Sequence, residues 1–425
     1  MSKQRIQLSD HFTYSRLLRF VLPCIGTMLF TSIYGIVDGL CVSNFVGKTA
    51  FAAVNLIMPV PMLVGSVGFM LGTGGSAIVG ITLGEGDQKK ADRYFTLFLL
   101  AALVSVSVLA VLGIVFLRPI AVLLGAKGEL LDYAVRYGRI LMVSLPTFAL
   151  QNMFQSFFVT AEKPHLGFWF TVGAGCTNMV LDVLMVGIWG WGVEGAAIAT
   201  FISQLVGGVL PVFYFINRSN SSRLHLCRTS FYSKVLRDAC INGSSELMTN
   251  LSMSLVNILY NYQLLRLAGE NGVAAYGVIM YAAFLFVAVF VGYAVGSAPI
   301  VSFHYGARNH AEVHNLYRKS LRLIAVVAVT LTLASMFIIP CVARIFVGYD
   351  AELLALTSRA FRLYALSFLI MGFNVYASSF FTALGDGVTS ALISFLRTLA
   401  FQVIAILLLP LLLGIDGIWL AVTAA

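Results

Sequence analysis

Charge is what this sequence has least of. Asp, Glu, Lys and Arg make up only 11% of its 425 residues, where a soluble domain carries about 25%. Cysteine is also sparse: Cys24, Cys41, Cys176, Cys227, Cys240 and Cys341 show no CxxC or CxxxC spacing, so neither a disulfide framework nor a metal site is read from them. These deficits exclude a soluble enzyme, a disordered chain and a disulfide-rich secreted scaffold. What is abundant is apolar surface, at 59% hydrophobic residues and a mean hydropathy of +0.91. A water-soluble globule of this length cannot bury that much, so the expected solvent is a lipid bilayer. The net charge of +9 sits in short clusters between apolar runs, which points to membrane topology rather than to nucleic acid. No cleavable secretory signal is expected at the amino terminus, because its polar lead-in is long and the first apolar run carries Asp38.

A bilayer core of about 30 Å needs about 20 apolar residues per helix. That ruler gives eleven spans, at roughly 17–41, 51–80, 94–117, 136–160, 166–188, 195–216, 238–265, 274–303, 321–341, 358–384 and 388–412. A twelfth run starts at Ile418 and reaches only Ala425, about 12 Å of helix. With the amino terminus inside, inner segments carry 17 Lys and Arg, among them Lys3, Arg5 and five in the stretch from Asn217 to Arg237. Outer segments carry 9, among them Lys48. The positive-inside bias therefore places the amino terminus in the cytoplasm.

Self-comparison at an offset of 222 aligns Ala53, Ile57 and Met58 with Ala275, Ile279 and Met280. It also aligns Ile78, Val79 and Gly84 with Ile300, Val301 and Gly306, and Gly192, Glu194, Gly195 and Ala199 with Gly414, Asp416, Gly417 and Ala421. One residue out of register, Ser156-Phe157-Phe158 meets Ser379-Phe380-Phe381. A nearly constant offset along the chain marks an internal repeat. Each half holds six spans, an even number, so both enter the membrane the same way round, as parallel repeats do. The expected fold is all-α and polytopic, with two pseudo-symmetric six-helix lobes at 1–216 and 238–425 and a cytoplasmic linker at 217–237. The last helix is expected to be about a dozen residues short of its counterpart in the first half.

Ionisable side chains inside spans cost about 2.5–3.5 kcal/mol each on insertion scales and are functional candidates for that reason. Four stand out: Asp38, Asp182, Glu246 and Arg397. At 1.5 Å per residue, Asp38 lies ~31 Å along the first span, and Asn178 and Asp182 lie ~18 and ~24 Å along the fifth. Thr200 is ~8 Å from the outer start of the sixth, and Tyr137 opens the fourth on the outer side. Tyr34 and Asp38 share one helix face by i, i+4 spacing, as do Asn178 and Asp182. Two carboxylates in a low-dielectric pocket must share a proton or a cation, which describes a coupling-ion site. The other reading is that Asp38 and Asp182 are unrelated helix-end residues wetted by the interface. Glu246 and Arg397, ~12 and ~14 Å above the inner ends of their spans, are expected to form a buried ion pair in the second lobe.

Other patterns carry less. His310-Ala-Glu-Val-His314 has metal-like spacing but lies in a basic loop and reads as a solvated helix face. Gly72, Gly74 and Gly75 have no phosphate-loop context, so they read as close helix packing. Asn217-Arg-Ser219 and Asn220-Ser-Ser222 match a glycosylation pattern on a cytoplasmic segment, where it is inert. The 32 Phe, 17 Tyr and 14 Met read as mostly lipid-facing and core side chains, with some expected to line a central cavity able to take aromatic cations.

Two runs carry a family likeness. The first is Phe45-Val46-Gly47, Ala52-Ala53-Val54-Asn55-Leu56, Pro59, Gly74-Gly75-Ser76 and Leu83-Gly84-Glu85-Gly86-Asp87. The second is Asn178 with Leu181-Asp182, followed by Gly192-Val193-Glu194-Gly195-Ala196-Ala197-Ile198-Ala199-Thr200. Together they resemble the MATE (multidrug and toxic compound extrusion) family, bacterial type, over nearly the whole chain. The resemblance implies a coupling-cation site in the first lobe built from Asp38, Asn178, Asp182, Thr200, Tyr34 and Tyr137, with helix 1 bending at Pro23. It departs from branches that use acids further along helices 7 and 10. Glu246 lies too early, and the repeat counterparts of Asp38, Asn178 and Asp182 are Tyr260, Ala400 and Ile404.

The expected function is a cation-coupled (H+ or Na+) multidrug efflux antiporter, exporting lipophilic and often cationic compounds across the inner membrane. It is expected to be a monomer with no cofactor and no nucleic-acid partner. A lipid-linked oligosaccharide flippase is the alternative and would need a strongly cationic cavity. A membrane-embedded enzyme would need a nucleophile–base or metal constellation, and none is apparent.

Overall fold

The computed structural model describes residues 6–348 and 350–425, with the side chains of residues 40, 43, 44, 48, 51, 342, 345 and 346 outside that description. Lys3, Arg5 and the Lys48 side chain, all used above to orient the chain, therefore lie outside the described residues.

The first half comprises α1 (Tyr14–Phe45), α2 (Lys48–Ile57), α3 (Pro59–Gly84), α4 (Gln88–Leu123), α5 (Gly128–Thr160), α6 (Pro164–Asp182) and α7 (Gly192–Ile216). The second comprises α8 (Ser233–Gly306), α9 (His310–Val347), α10 (Ala351–Ala365), α11 (Phe368–Ala383), α12 (Gly387–Phe395), α13 (Phe401–Leu413) and α14 (Ile415–Ala424). A π-helical turn, Val183–Ile188, extends α6, and another, Leu396–Ala400, joins α12 to α13. No strand occurs among the described residues.

The breaks follow local chemistry. Pro59 has no N–H to continue α2 and opens α3 at its first position. The 74 residues of α8 would extend about 111 Å if straight, far more than one bilayer. They divide at Gly269, whose φ of 61° and ψ of −151° are accessible to essentially glycine alone. The tenth span is a bent pair, α10 and α11, meeting at 47°. Eight helices among the described residues are long and apolar enough to cross a membrane, nine with the bent pair taken as one. Crossing twice, α8 adds one more. The remaining crossing, α5, falls below that apolarity because Gln151 and Asn152 sit mid-helix, both buried inside the lobe. The structure thus carries the eleven spans read from the sequence, with α14 as a shorter apolar helix after them.

The repeat appears as reciprocal contacts. A Cβ on Gly80 would stand 2.8 Å from Cβ of Ser302, its own counterpart 222 residues on, so this contact lies on the pseudo-two-fold axis. Gly84 abuts the Phe303 carbonyl and Gly306 abuts the Ile81 carbonyl, two contacts that the same offset exchanges. Gly74 against Gly243 likewise maps onto Gly296 against Val21. Backbone meets backbone along α3 and α8 because small residues let transmembrane helices approach closely. Asn242 adds a polar clasp, donating from Nδ2 to the Thr382 carbonyl at 2.9 Å and to the Gly74 carbonyl at 3.4 Å. The caps repeat as well: Asp87 accepts from the Lys90 amide at 3.0 Å and Asn309, 222 residues later, from the Glu312 amide at 3.1 Å. So do two surface ion pairs, Arg136 with Glu194 and Arg359 with Asp416.

The same face of the bundle carries the linker and the amino-terminal segment, and both are strapped down. His225 N–H donates to Asp92 and Cys227 N–H to Thr96, holding the linker along α4. Leu8 and Phe12 are fully buried. The Leu8 amide donates to Glu162 of the first lobe at 2.9 Å, and Glu162 also holds Arg223 of the linker at 2.5 Å. The Phe12 amide donates to Glu312 of the second lobe at 2.9 Å, and the other oxygen of Glu312 meets His11 at 2.6 Å. One short segment thus ties the lobes together where the glycine contacts already bring them close.

Candidate functional site

Three helices of the first lobe, α1, α5 and α6, converge on a buried acidic pocket. Gly175 on α6 makes room for the rings of Phe30 and Tyr34, 2.5 and 3.0 Å from where its Cβ would stand, and so α1 closes on α6. Asp38 lies one turn beyond Tyr34, and Asp182 two turns beyond Gly175. The Asp38 and Asp182 carboxyls lie close enough to interact electrostatically. Asp182 is fully buried. Neither of its oxygens, nor Oδ1 of Asp38, receives a hydrogen bond. Among the described residues no Lys or Arg pairs with either acid. Tyr137 comes in from α5 with its ring fully buried and its hydroxyl unbonded, within electrostatic reach of both acids. Asn178 lies one turn before Asp182, 2% exposed, its amide nitrogen also without an acceptor. Buried polar atoms without partners are rare in folded proteins and call for an explanation.

Tyr34, Asp38, Tyr137 and Asp182 are brought together, with Asn178 directly beneath. Thr200 is not bonded into this group: its hydroxyl donates to the Ala196 carbonyl of its own helix at 3.0 Å. Pro23 lies in the interior of α1, which runs unbroken from Tyr14 to Phe45. Cys41, which the sequence reading passed over, is buried within electrostatic reach of both acids. It is three residues past Asp38 and therefore on the same helix face, a spacing that could have flagged it. The π turn starting at Val183, next to Asp182, was not foreseen either. Such turns often occur at functional sites.

The second-lobe charges differ from expectation. Glu246 and Arg397 line one cavity of about 120 Å³ between the lobes. They interact electrostatically but are not among the ion pairs within 4.0 Å. The expected direct pair is thus two charges facing a shared space, with Arg397 projecting from a π turn. The aromatic lining is corrected too. Among the described residues the cavity wall is Ser, Thr, Ala and Val besides the two charges, with no Phe, Tyr or Trp. Aromatic rings pack the core of both lobes, as expected for most of them: Phe154 stacks on Phe215 at 5.5 Å in the first and Tyr260 on Tyr276 at 5.0 Å in the second.

Two six-helix repeats, a cavity between them and an acid pair within one lobe define a polytopic membrane transporter. The MatE family model matches this chain twice, over residues 23–184 and 247–408. The chain belongs to the MATE family and is a transporter, not an enzyme. Among curated proteins it is similar to the multidrug export protein MepA of Staphylococcus saprophyticus, at 20% identity over 96% of this chain and 88% of the relative. It is also similar to MepA of Staphylococcus aureus strain MSSA476, at 21% identity over 95% and 89%. Among solved structures, an outward-facing MATE family transporter of the MOP superfamily superposes with a TM-score of 0.93 at 23% identity, covering 100% of this chain and 95% of that one. A MOP superfamily transporter from Pyrococcus furiosus, described as having a binding pocket of reversed polarity, gives a TM-score of 0.91 at 23% identity over 99% and 94%.

Proposed function

We propose that this transporter is a monomeric antiporter of the inner membrane. It exports lipophilic, often cationic compounds in exchange for H+ or Na+ bound between Asp38 and Asp182. The observation that carries the reading is the acid pair itself: two carboxyls from different helices, close enough to interact and, among the described residues, with no basic partner. Two like charges about 4 Å apart repel by ~4 kcal/mol at an effective dielectric of 20. Both acids therefore ionise together only at considerable cost, and a proton or a metal cation between them removes it. Occupancy then favours the arrangement in which α1 lies on α6 over Gly175, and loss of the cation favours their separation, with Pro23 as the weak point of α1. The cation moves the equilibrium between conformations only by binding one of them more tightly. Release of the exported compound follows from this movement of α1 or from competition for the same acids.

The basic linker face is taken as cytoplasmic by the positive-inside rule. The strapped face is then the inner one, so the closed side of this conformation is the cytoplasmic side. The multidrug export names of the MepA relatives support the choice of cargo. A flippase of anionic lipid-linked sugars is disfavoured, because Arg397 in the central cavity is balanced by Glu246.

The test is efflux of a fluorescent lipophilic cation from proteoliposomes under imposed pH or sodium gradients. Asp38→Asn and Asp182→Asn should each abolish the gradient-driven component. Undiminished gradient-driven efflux in both variants would remove the coupling site from these residues.

A further inference from the structure

The interlobe cavity has a composition of its own. Glu246 and Arg397 face it from α8 and from the π turn after α12, each partly buried. Neither is in contact with the other, and among the described residues neither side chain makes a hydrogen bond or an ion pair within 4.0 Å. The wall thus presents one negative and one positive pole across a space of about 120 Å³.

Small apolar side chains make up much of the remaining wall, and three of its hydroxyls point their polarity in one direction. Thr73 donates its hydroxyl proton to the Phe69 carbonyl, Ser76 to the Thr73 carbonyl and Thr249 to the Ser245 carbonyl, at 3.0, 2.9 and 2.8 Å. With their protons committed to their own helices, these three hydroxyls can only accept, so at their positions the wall favours a ligand group that donates. No aromatic face is present for a flat lipophilic cation to stack upon. A volume of about 120 Å³ suits a compact ligand.

We propose that Glu246 and Arg397 are the two poles of a binding site for a compact zwitterion bearing a hydroxyl group, with its cationic end at Glu246 and its anionic end at Arg397. A ligand carrying both charges satisfies both poles and leaves neither buried charge unpaired. A simple cation or a simple anion of the same size satisfies only one, and leaving the other unpaired is the costly state. The site rests on the transport reading only for its biological use. Binding itself needs no ion gradient.

The experiment is equilibrium dialysis of the purified full-length protein against three radiolabelled probes, without a gradient. Carnitine carries a quaternary ammonium, a hydroxyl and a carboxylate. Choline keeps the ammonium and hydroxyl, and 3-hydroxybutyrate keeps the hydroxyl and carboxylate. Saturable binding of carnitine about tenfold or more tighter than either single-charge probe is expected, since each loses one charge-assisted contact. Glu246→Gln should reduce carnitine binding to the level of 3-hydroxybutyrate, and Arg397→Gln to the level of choline. Because one remaining charge could compromise folding, the double variant Glu246→Gln/Arg397→Gln removes both and should fold with all carnitine preference lost. Carnitine binding no tighter than choline in the parent, or a preference retained in the double variant, overturns the site. Gradient-driven efflux of a lipophilic cation is read separately, so failure here leaves the Asp38–Asp182 coupling reading standing, and failure there leaves this site standing.

Discussion

Gly84→Ala should open the strapped face of the bundle. Gly84 lies directly against the Phe303 carbonyl and the Ala307 amide, backbone groups that cannot rotate away as a side chain would. An added methyl forces α3 and α8 apart at that point, and overpacking of this kind costs about 1–3 kcal/mol. That cost falls only on the conformation in which the two helices touch, so it shifts the open-to-closed ratio roughly 5- to 150-fold. Gly306→Ala, the reciprocal site against Ile81, should do the same. Gly277 lies in the same long helix with nothing within 4 Å of its Cβ position, and Gly277→Ala should change nothing. The assay is electron–electron distance measurement between spin labels at Lys89 and Ala311, both exposed and 222 residues apart on the two lobes, in a background free of native cysteines. A longer distance should gain population in Gly84→Ala and Gly306→Ala alone. Unchanged distributions in both, or the same change in Gly277→Ala, would refute the claim that these contacts close the face.

The amino-terminal strap depends on Glu312, which holds His11, the Phe12 amide and Asn315. Glu312→Ala should raise amide exchange across residues 8–12 roughly tenfold to a hundredfold, and exchange at the parent rate would show that the burial of Leu8 and Phe12 suffices. Gly269→Ala imposes a side chain on a φ of 61° and a ψ of −151°. It should cost about 1–3 kcal/mol, seen as a lower melting temperature in detergent; an unchanged melting temperature would mean that the chain relaxes there freely. Thr200→Ala removes a hydroxyl bonded to its own helix and should leave gradient-driven efflux within about threefold. A loss as large as that of Asp182→Asn would place Thr200 at the cation after all.

Much of this architecture was legible because the bilayer constrains sequence so strongly. Span positions and the offset of 222 follow from hydropathy and self-comparison, and the offset reappears in space where Gly80 meets Ser302. The breaks were less legible. The division of α8 at Gly269 fell within an expected loop between spans, but the 47° bend between α10 and α11 has no proline or glycine at the joint to announce it. Within the acid pocket, i, i+4 spacing located Tyr34 with Asp38 and Asn178 with Asp182, while depth alone could not tell that Thr200 turns to its own backbone. Cys41 was passed over because a lone cysteine in an apolar run reads as a small hydrophobe. The separation of Glu246 from Arg397 was beyond reach, since shared depth along two helices does not fix the distance between their side chains.

The central claim is that Asp38 and Asp182 act as one cation site rather than two. The number of cations held per chain tests it most directly, read as radioactive sodium retained at equilibrium or as protons released into weakly buffered solution when substrate is added. The account predicts one cation per chain in the parent, and none in either Asp38→Asn or Asp182→Asn. One cation remaining in each variant, with two in the parent, would mean that the two acids bind independently and would contradict it.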